Sequence, residues 1–151
     1  MMRNTIVLTI LFFALFARAE PAYTNHAGNV ASGVVIALDA RMATISNAME
    51  TVKLPLSIFP ESEQRRIAAD FVLRQGGGNI DQLRVPVAVK RAITGAEKAM
   101  ARSRKRAEKG LCTKEESEAF CEKSEAALRN YLDKQVKEGV ITPAERKALG
   151  R

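Results

Sequence analysis

Two cysteines, one histidine, a triple glycine and a cation-rich stretch are the features whose residue types could carry chemistry. Cys112 and Cys121 stand nine positions apart. If the helix around them starts at Thr113, a rise of about 1.5 Å per residue puts their Cα atoms about 13 Å apart. A disulfide tolerates about 7 Å. A Cys112–Cys121 bond therefore requires the helix to begin later, near Ser117; the alternatives are a bond between two chains and free thiols. Cys121 shares a helix face with Phe120, Ala127, Leu128 and Tyr131, which suits a packed sulfur. No Cys-x-x-Cys motif is present, so a redox enzyme is not expected.

His26 is the one imidazole, and it falls in a polar lead-in, residues 20–28, so a Ser–His or Cys–His pair has little to build on. The carboxylates recur at helical spacing beside Lys and Arg, and no two share an apolar setting suited to acid–base work. Gly76-Gly77-Gly78 lacks the Lys-Ser/Thr of a phosphate loop and the spacing of a dinucleotide fingerprint; it reads as a helix stop. One His and two Cys do not make a His-rich metal site or a zinc ribbon. No cofactor and no metal are expected, and the chain is not expected to be an enzyme. An enzyme built on scattered carboxylates is the class that remains against that reading.

The cation-rich stretch is residues 87–109, with eight Lys and Arg against Glu97 and Glu108. At about 100° per residue, Lys90, Arg91, Lys98, Arg102, Lys105, Arg106 and Lys109 fall within one arc of about 160°. Val89, Ile93, Ala96, Met100 and Ala107 fall opposite. A basic amphipathic helix of this kind fits an acidic protein, an anionic membrane surface or a polyanion. A second expectation competes with it. The next stretch opens with Glu115, Glu116, Glu118, Glu122 and Glu125, and a turn at 110–113 would fold those acids back to neutralise the cations. Nucleic acid is not expected, because no aromatic lies between Val72 and Ala119 for bases to stack on. The apolar face lacks Trp, Phe and Leu anchors, which weakens the membrane surface as a partner.

The elements that must position these residues are read as helices. From residue 29 to about 51, Val34, Leu38, Met42, Ile45, Met49 and Val52 recur at steps of 4, 4, 3, 4 and 3, one stripe of an amphipathic helix. Residues 53–60 hold two prolines and read as a loop. A second helix starts at Pro60 and buries Ile67, Ala68, Phe71 and Val72. Asn79 can cap a short turn through Leu83. A third helix runs from Pro86 to about Lys109, a fourth from Thr113 to Glu138, and a terminal helical turn from Pro143 to Leu149. The expected fold is all-α: a single domain of about four main helices in antiparallel hairpins, with 84–151 as its charge-segregated part.

Gly110, Thr113 and Glu116 match Gly139, Thr142 and Glu145 at a constant offset of 29. Glycine ends one helix, threonine caps the next, and glutamate three residues on returns to the cap. The segment Gly139-Val140-Ile141-Thr142-Pro143-Ala144-Glu145 looks like the hairpin of short C-terminal helical modules of the SHOCT type, over that turn alone.

The N-terminus carries an address. Arg3 is followed by an apolar run of 13 residues, 5–17, and by Ala17-Arg18-Ala19 before Glu20. That is the grammar of a secretory signal peptide over residues 1–19, and the run is short of the roughly 20 apolar residues of a membrane span. Its removal takes away Arg3 and Arg18 and no acid, lowering the +7 charge by two. With 46% apolar and 27% charged residues in 151, the rest suits one folded domain. The expectation is an exported protein, periplasmic or secreted, that binds another envelope or secreted protein. The alternative is an anionic membrane or polymer surface held by the basic helix. Oligomeric state is left open.

Overall fold

The computed structural model describes residues 20–150, so the signal-peptide reading of residues 1–19 lies outside the described residues. Strands β1 (Ala22–Thr24) and β2 (Val30–Ser32) form an antiparallel pair, and β3 (Val34–Leu38), β4 (Met42–Ser46) and β5 (Thr51–Pro55) form an antiparallel meander in that order. A 3-10 turn, Leu56–Ile58, leads to helices α1 (Glu61–Arg74), α2 (Val87–Glu108), α3 (Lys114–Lys137) and α4 (Pro143–Ala148). The all-α expectation is overturned: the fold is mixed, and the helix expected over residues 29–51 is strands.

The reason lies in local chemistry that competes with the stripe. Val34, Val35 and Ile36 are β-branched and favour a pleated backbone. Asp39 accepts hydrogen bonds from the Arg41 and Met42 amides at 2.8 Å each, which turns the chain between β3 and β4. Asn47 does the same for Met49 and Glu50 at 2.8 and 2.9 Å. Both are side-chain-to-backbone turns that Asp and Asn make well. The three-and-four spacing survives because Val34 and Leu38 end one strand, Met42 and Ile45 sit on the next, and Met49 stands in a turn. Gly33 adds a hard constraint. At φ 140° a β-carbon there would lie 2.5 Å from the Ser46 carbonyl oxygen, so the chain passes β4 too closely for any side chain. Part of the stretch read as a loop is β5, and the lead-in contains β1, with Tyr23 fully buried.

The three later helices stand where their punctuation places them. Pro86 precedes α2, Gly110 at φ 68° ends it, and Thr113 and Thr142 each close a reciprocal capping box with Glu116 and Glu145. Gly78 is more than a helix stop: its N–H donates to the Ala148 carbonyl at 2.8 Å, tying the end of α1 to α4.

Helix α1 serves two cores. Ile67 and Phe71 pack with Tyr23, Val35, Ile45 and Phe59 beneath the sheets, while Ala69 and Val72 join Val89, Ile93, Leu132 and Ile141 from the helical half. Burying such aliphatic and aromatic side chains contributes roughly 1.5–3 kcal/mol each. A buried ion pair locks the corner. Arg65 donates through Nε and Nη2 to the two carboxylate oxygens of Glu145 at 2.7 Å each, and through Nη2 to the Val140 carbonyl at 2.9 Å. Glu145 has no exposed surface, and one of its oxygens also accepts from the Thr142 amide at 2.7 Å. Its hydrogen bonds to Arg65 hold the guanidinium proton more tightly than usual.

Candidate functional site

Helices α2 and α3 form an antiparallel hairpin of about 33 and 36 Å at 1.5 Å per residue. Its base belongs to the core through Val89, Ile93, Leu128 and Leu132. Its distal half, residues 97–125, contributes to neither core cluster. There the two helices hold one another through Met100, Ser117 and Cys121, all buried, and through a Ser103–Ser117 hydroxyl contact at 3.2 Å. The result is a narrow arm with large solvent-facing surfaces.

The basic face lies on the outside of that arm. Val89, Ile93 and Met100 turn toward α3, and helical geometry then directs Arg91, Lys98, Arg102, Lys105, Arg106 and Lys109 away from it. All six are exposed. Among the described residues none of them has an ion-pair partner. The acids of α3 share a hairpin with these six cations but make no ion pair with them among the described residues. Lys90 parts from the group. It is half-buried, and its Nζ donates to the Asp81 carbonyl at 3.4 Å, on the wall of a groove of about 570 Å³ that also takes in Asp39 and Arg84. Asp39 there is held below the usual carboxylate range by the Arg41 and Met42 amides.

Both cysteines are free thiols. Cys112 is half-buried with Sγ 3.9 Å from the Ser103 carbonyl, and Cys121 is buried with Sγ 3.9 Å from the Met100 carbonyl. With Thr113 as the cap and Lys114 opening the helix, a bond between the two requires the first turns of α3 to unwind. Among the described residues, no three His, Cys, Asp or Glu side chains gather as a metal-binding group, and no helix is long and apolar enough to cross a membrane. His26 is exposed, and its backbone amide bonds the Ile58 carbonyl at 2.9 Å.

Sequence reasoning passed over three residues of consequence. Arg104 leaves the basic arc and lies against Ser117 and Glu118 in the shallow groove along one flank of the arm. Its angular position on the helix was the available signal. Arg65 meets Glu145 across 80 positions, and only the capping role of Glu145 is visible locally. Tyr23 donates its hydroxyl to Asp70 at 2.8 Å, beneath the Arg66 guanidinium, which stands 5.0 Å from the ring centroid. Burial, then the Asp70 contact, pushes the Tyr23 phenol well above its usual range. Comparison with protein-family models, curated proteins and solved structures returns no match.

Proposed function

We propose that this chain is an exported, non-enzymatic binding protein that engages an acidic surface of another protein through the outer face of α2. One observation carries the reading. Arg91, Lys98, Arg102, Lys105, Arg106 and Lys109 stand exposed along about 27 Å of helix with no carboxylate of the described chain set against them. A row of unneutralised cations on a rigid helix steers and orients an acidic partner more than it stabilises its own fold. Export rests on the grammar of residues 1–19.

The test is a crosslinking pull-down of the tagged protein from its native cells, with bound species identified by mass. One protein recovered near stoichiometry, and lost with Arg102→Glu and Arg106→Glu or with raised salt, is the expected result. Undiminished recovery by the reversed protein overturns the reading. The same cations also suit an anionic membrane or polymer; recovery of lipid or polymer alone, released by salt, selects that second reading.

A further inference from the structure

The distal half of the arm holds two thiols against one helix. Cys112 Sγ lies 3.9 Å from the Ser103 carbonyl, and Cys121 Sγ 3.9 Å from the Met100 carbonyl. Those two carbonyls are three residues apart on α2, about 4.5 Å along its axis. We infer that Cys112 and Cys121 are a modification site: in an oxidising compartment they join in a disulfide, and the bond forms only with unwinding of the first turn of α3. The oxidising compartment rests on the reading of the chain as exported; the coupling of bond to helix does not.

The stretch between the cysteines is built to give way. Of residues 113–120 Ser117 alone is buried, and the others are exposed, Phe120 included. None of them belongs to either core cluster. The first turn is held by polar contacts: the Thr113–Glu116 capping box, at 2.9 and 3.1 Å, and the Ser103–Ser117 hydroxyls at 3.2 Å. Unwinding it takes no apolar side chain out of a core, water can replace each polar contact, and helix ends are the first parts to open. Leu111, beside Cys112 in the preceding turn, is itself exposed, so no apolar anchor there resists the shift.

The unwinding has a required extent and a stop. With the helix opening at Lys114, the two Cα atoms are about 13 Å apart, against the roughly 7 Å that a disulfide tolerates. The helix must therefore begin near Ser117 in the oxidised chain. Beyond Cys121, Leu128 and Leu132 fasten α3 to the helical core, so the change ends there. The reaction is thiol–disulfide exchange with an external disulfide. The thiolate of half-buried Cys112 attacks it, forming a mixed disulfide and releasing one thiol. The Cys121 thiolate, which borders the groove of Arg104 on the flank of the arm, attacks the Cys112 sulfur and releases the second. Two protein thiols give up two electrons and two protons, and the external disulfide leaves as two thiols. The product shortens α3 at the end that carries Glu115 and Glu116, while the cations of α2 keep their helix.

The test is a titration of the purified protein in mixtures of reduced and oxidised glutathione, read by intact mass and by amide hydrogen exchange. The expected product is a monomer lighter by two hydrogen atoms. The amides of residues 117–120, which bond to the carbonyls of 113–116 while α3 is whole, should be protected in the reduced protein and exchange freely in the oxidised one. Thr113→Ala weakens the helical, reduced state alone, so it should raise the oxidation equilibrium constant about fivefold. Thiols that stay reduced in oxidised glutathione, a product of doubled mass, or one that keeps glutathione overturns the inference. So does a bond that leaves exchange at 117–120 unchanged, or an equilibrium that Thr113→Ala does not move. The intact mass of the protein from its native cells separates this claim from the one beneath it. A chain beginning at Glu20 and lighter by two hydrogens supports both, whereas a chain that keeps residues 1–19 overturns export and leaves the result of the titration standing.

Discussion

Around α1, side chains from both ends of the described chain are sealed from water: Tyr23 and Ile141 are buried beside Ile67 and Val72 of the helix, and Arg65 meets a carboxylate with no exposed surface. In the distal half of the α2–α3 hairpin, the buried residues are Met100, Ser117 and Cys121, and most other positions face solvent with a charge. The body spends its polar groups on closure. Asp39 and Asn47 make turns, Glu145 caps a helix and binds Arg65, and Tyr23 reaches Asp70. The arm leaves the six cations on the outer face of α2 without an ion-pair partner among the described residues. A charge paired in the interior is costly to unpair and offers nothing to a partner, whereas a charge left exposed on a helix can be removed cheaply and can steer recognition.

The contrast can be broken most forcefully at the corner of the body. Glu145→Ala removes a buried carboxylate, a capping group and the main partner of Arg65, and is expected to cost about 3–5 kcal/mol, measured by urea unfolding. A loss under about 1 kcal/mol would mean that Arg65 finds water instead. Next comes a matched pair of truncations. Leu132→Ala in the body is expected to cost about 2–5 kcal/mol, and Met100→Ala in the arm about 2 kcal/mol or less, because the open flanks let the arm close around the gap. Equal costs would erase the distinction between body and arm.

Tyr23→Phe is expected to cost about 1 kcal/mol through the lost Asp70 contact, and it carries a pH signature. The folded state holds the phenol proton more tightly than the unfolded chain does. That stabilisation is therefore complete below the usual phenol range, near 10, and declines as pH rises above it. Urea midpoints taken at neutral and strongly alkaline pH should fall less steeply for the Phe variant than for the wild type. The smallest effect belongs to the arm. Reversing Arg102 and Arg106 to Glu should change stability by about 0.5 kcal/mol or less, since neither has an ion-pair partner among the described residues. A clear destabilisation would point to a hairpin that neutralises itself.

The sequence displays the arm far better than the body. Proline, glycine and capping-box residues mark the ends of α2 and α3 almost to the residue, and a 3.6-residue period projects the basic arc directly. In the sheet the same reasoning fails for a physical reason. Strands of five residues and fewer complete barely two alternations, and a register shift between Val35 and Ala37 leaves Ile36 more than half exposed and breaks even that. Asp39 and Asn47 make the turns, but each is a single polar residue inside a longer hydrophobic stripe at helical spacing. Arg65 and Glu145 carry no mutual mark at 80 positions apart; only the tertiary fold brings them together.

The central claim is that the outer face of α2 is free to bind. Crosslinking capture by the wild type and by the Arg102→Glu, Arg106→Glu protein at low salt, with thermal unfolding of both recorded alongside, tests it most directly. The expected result is matched unfolding temperatures and loss of the captured species from the reversed protein alone. Equal capture by two equally stable proteins would contradict it.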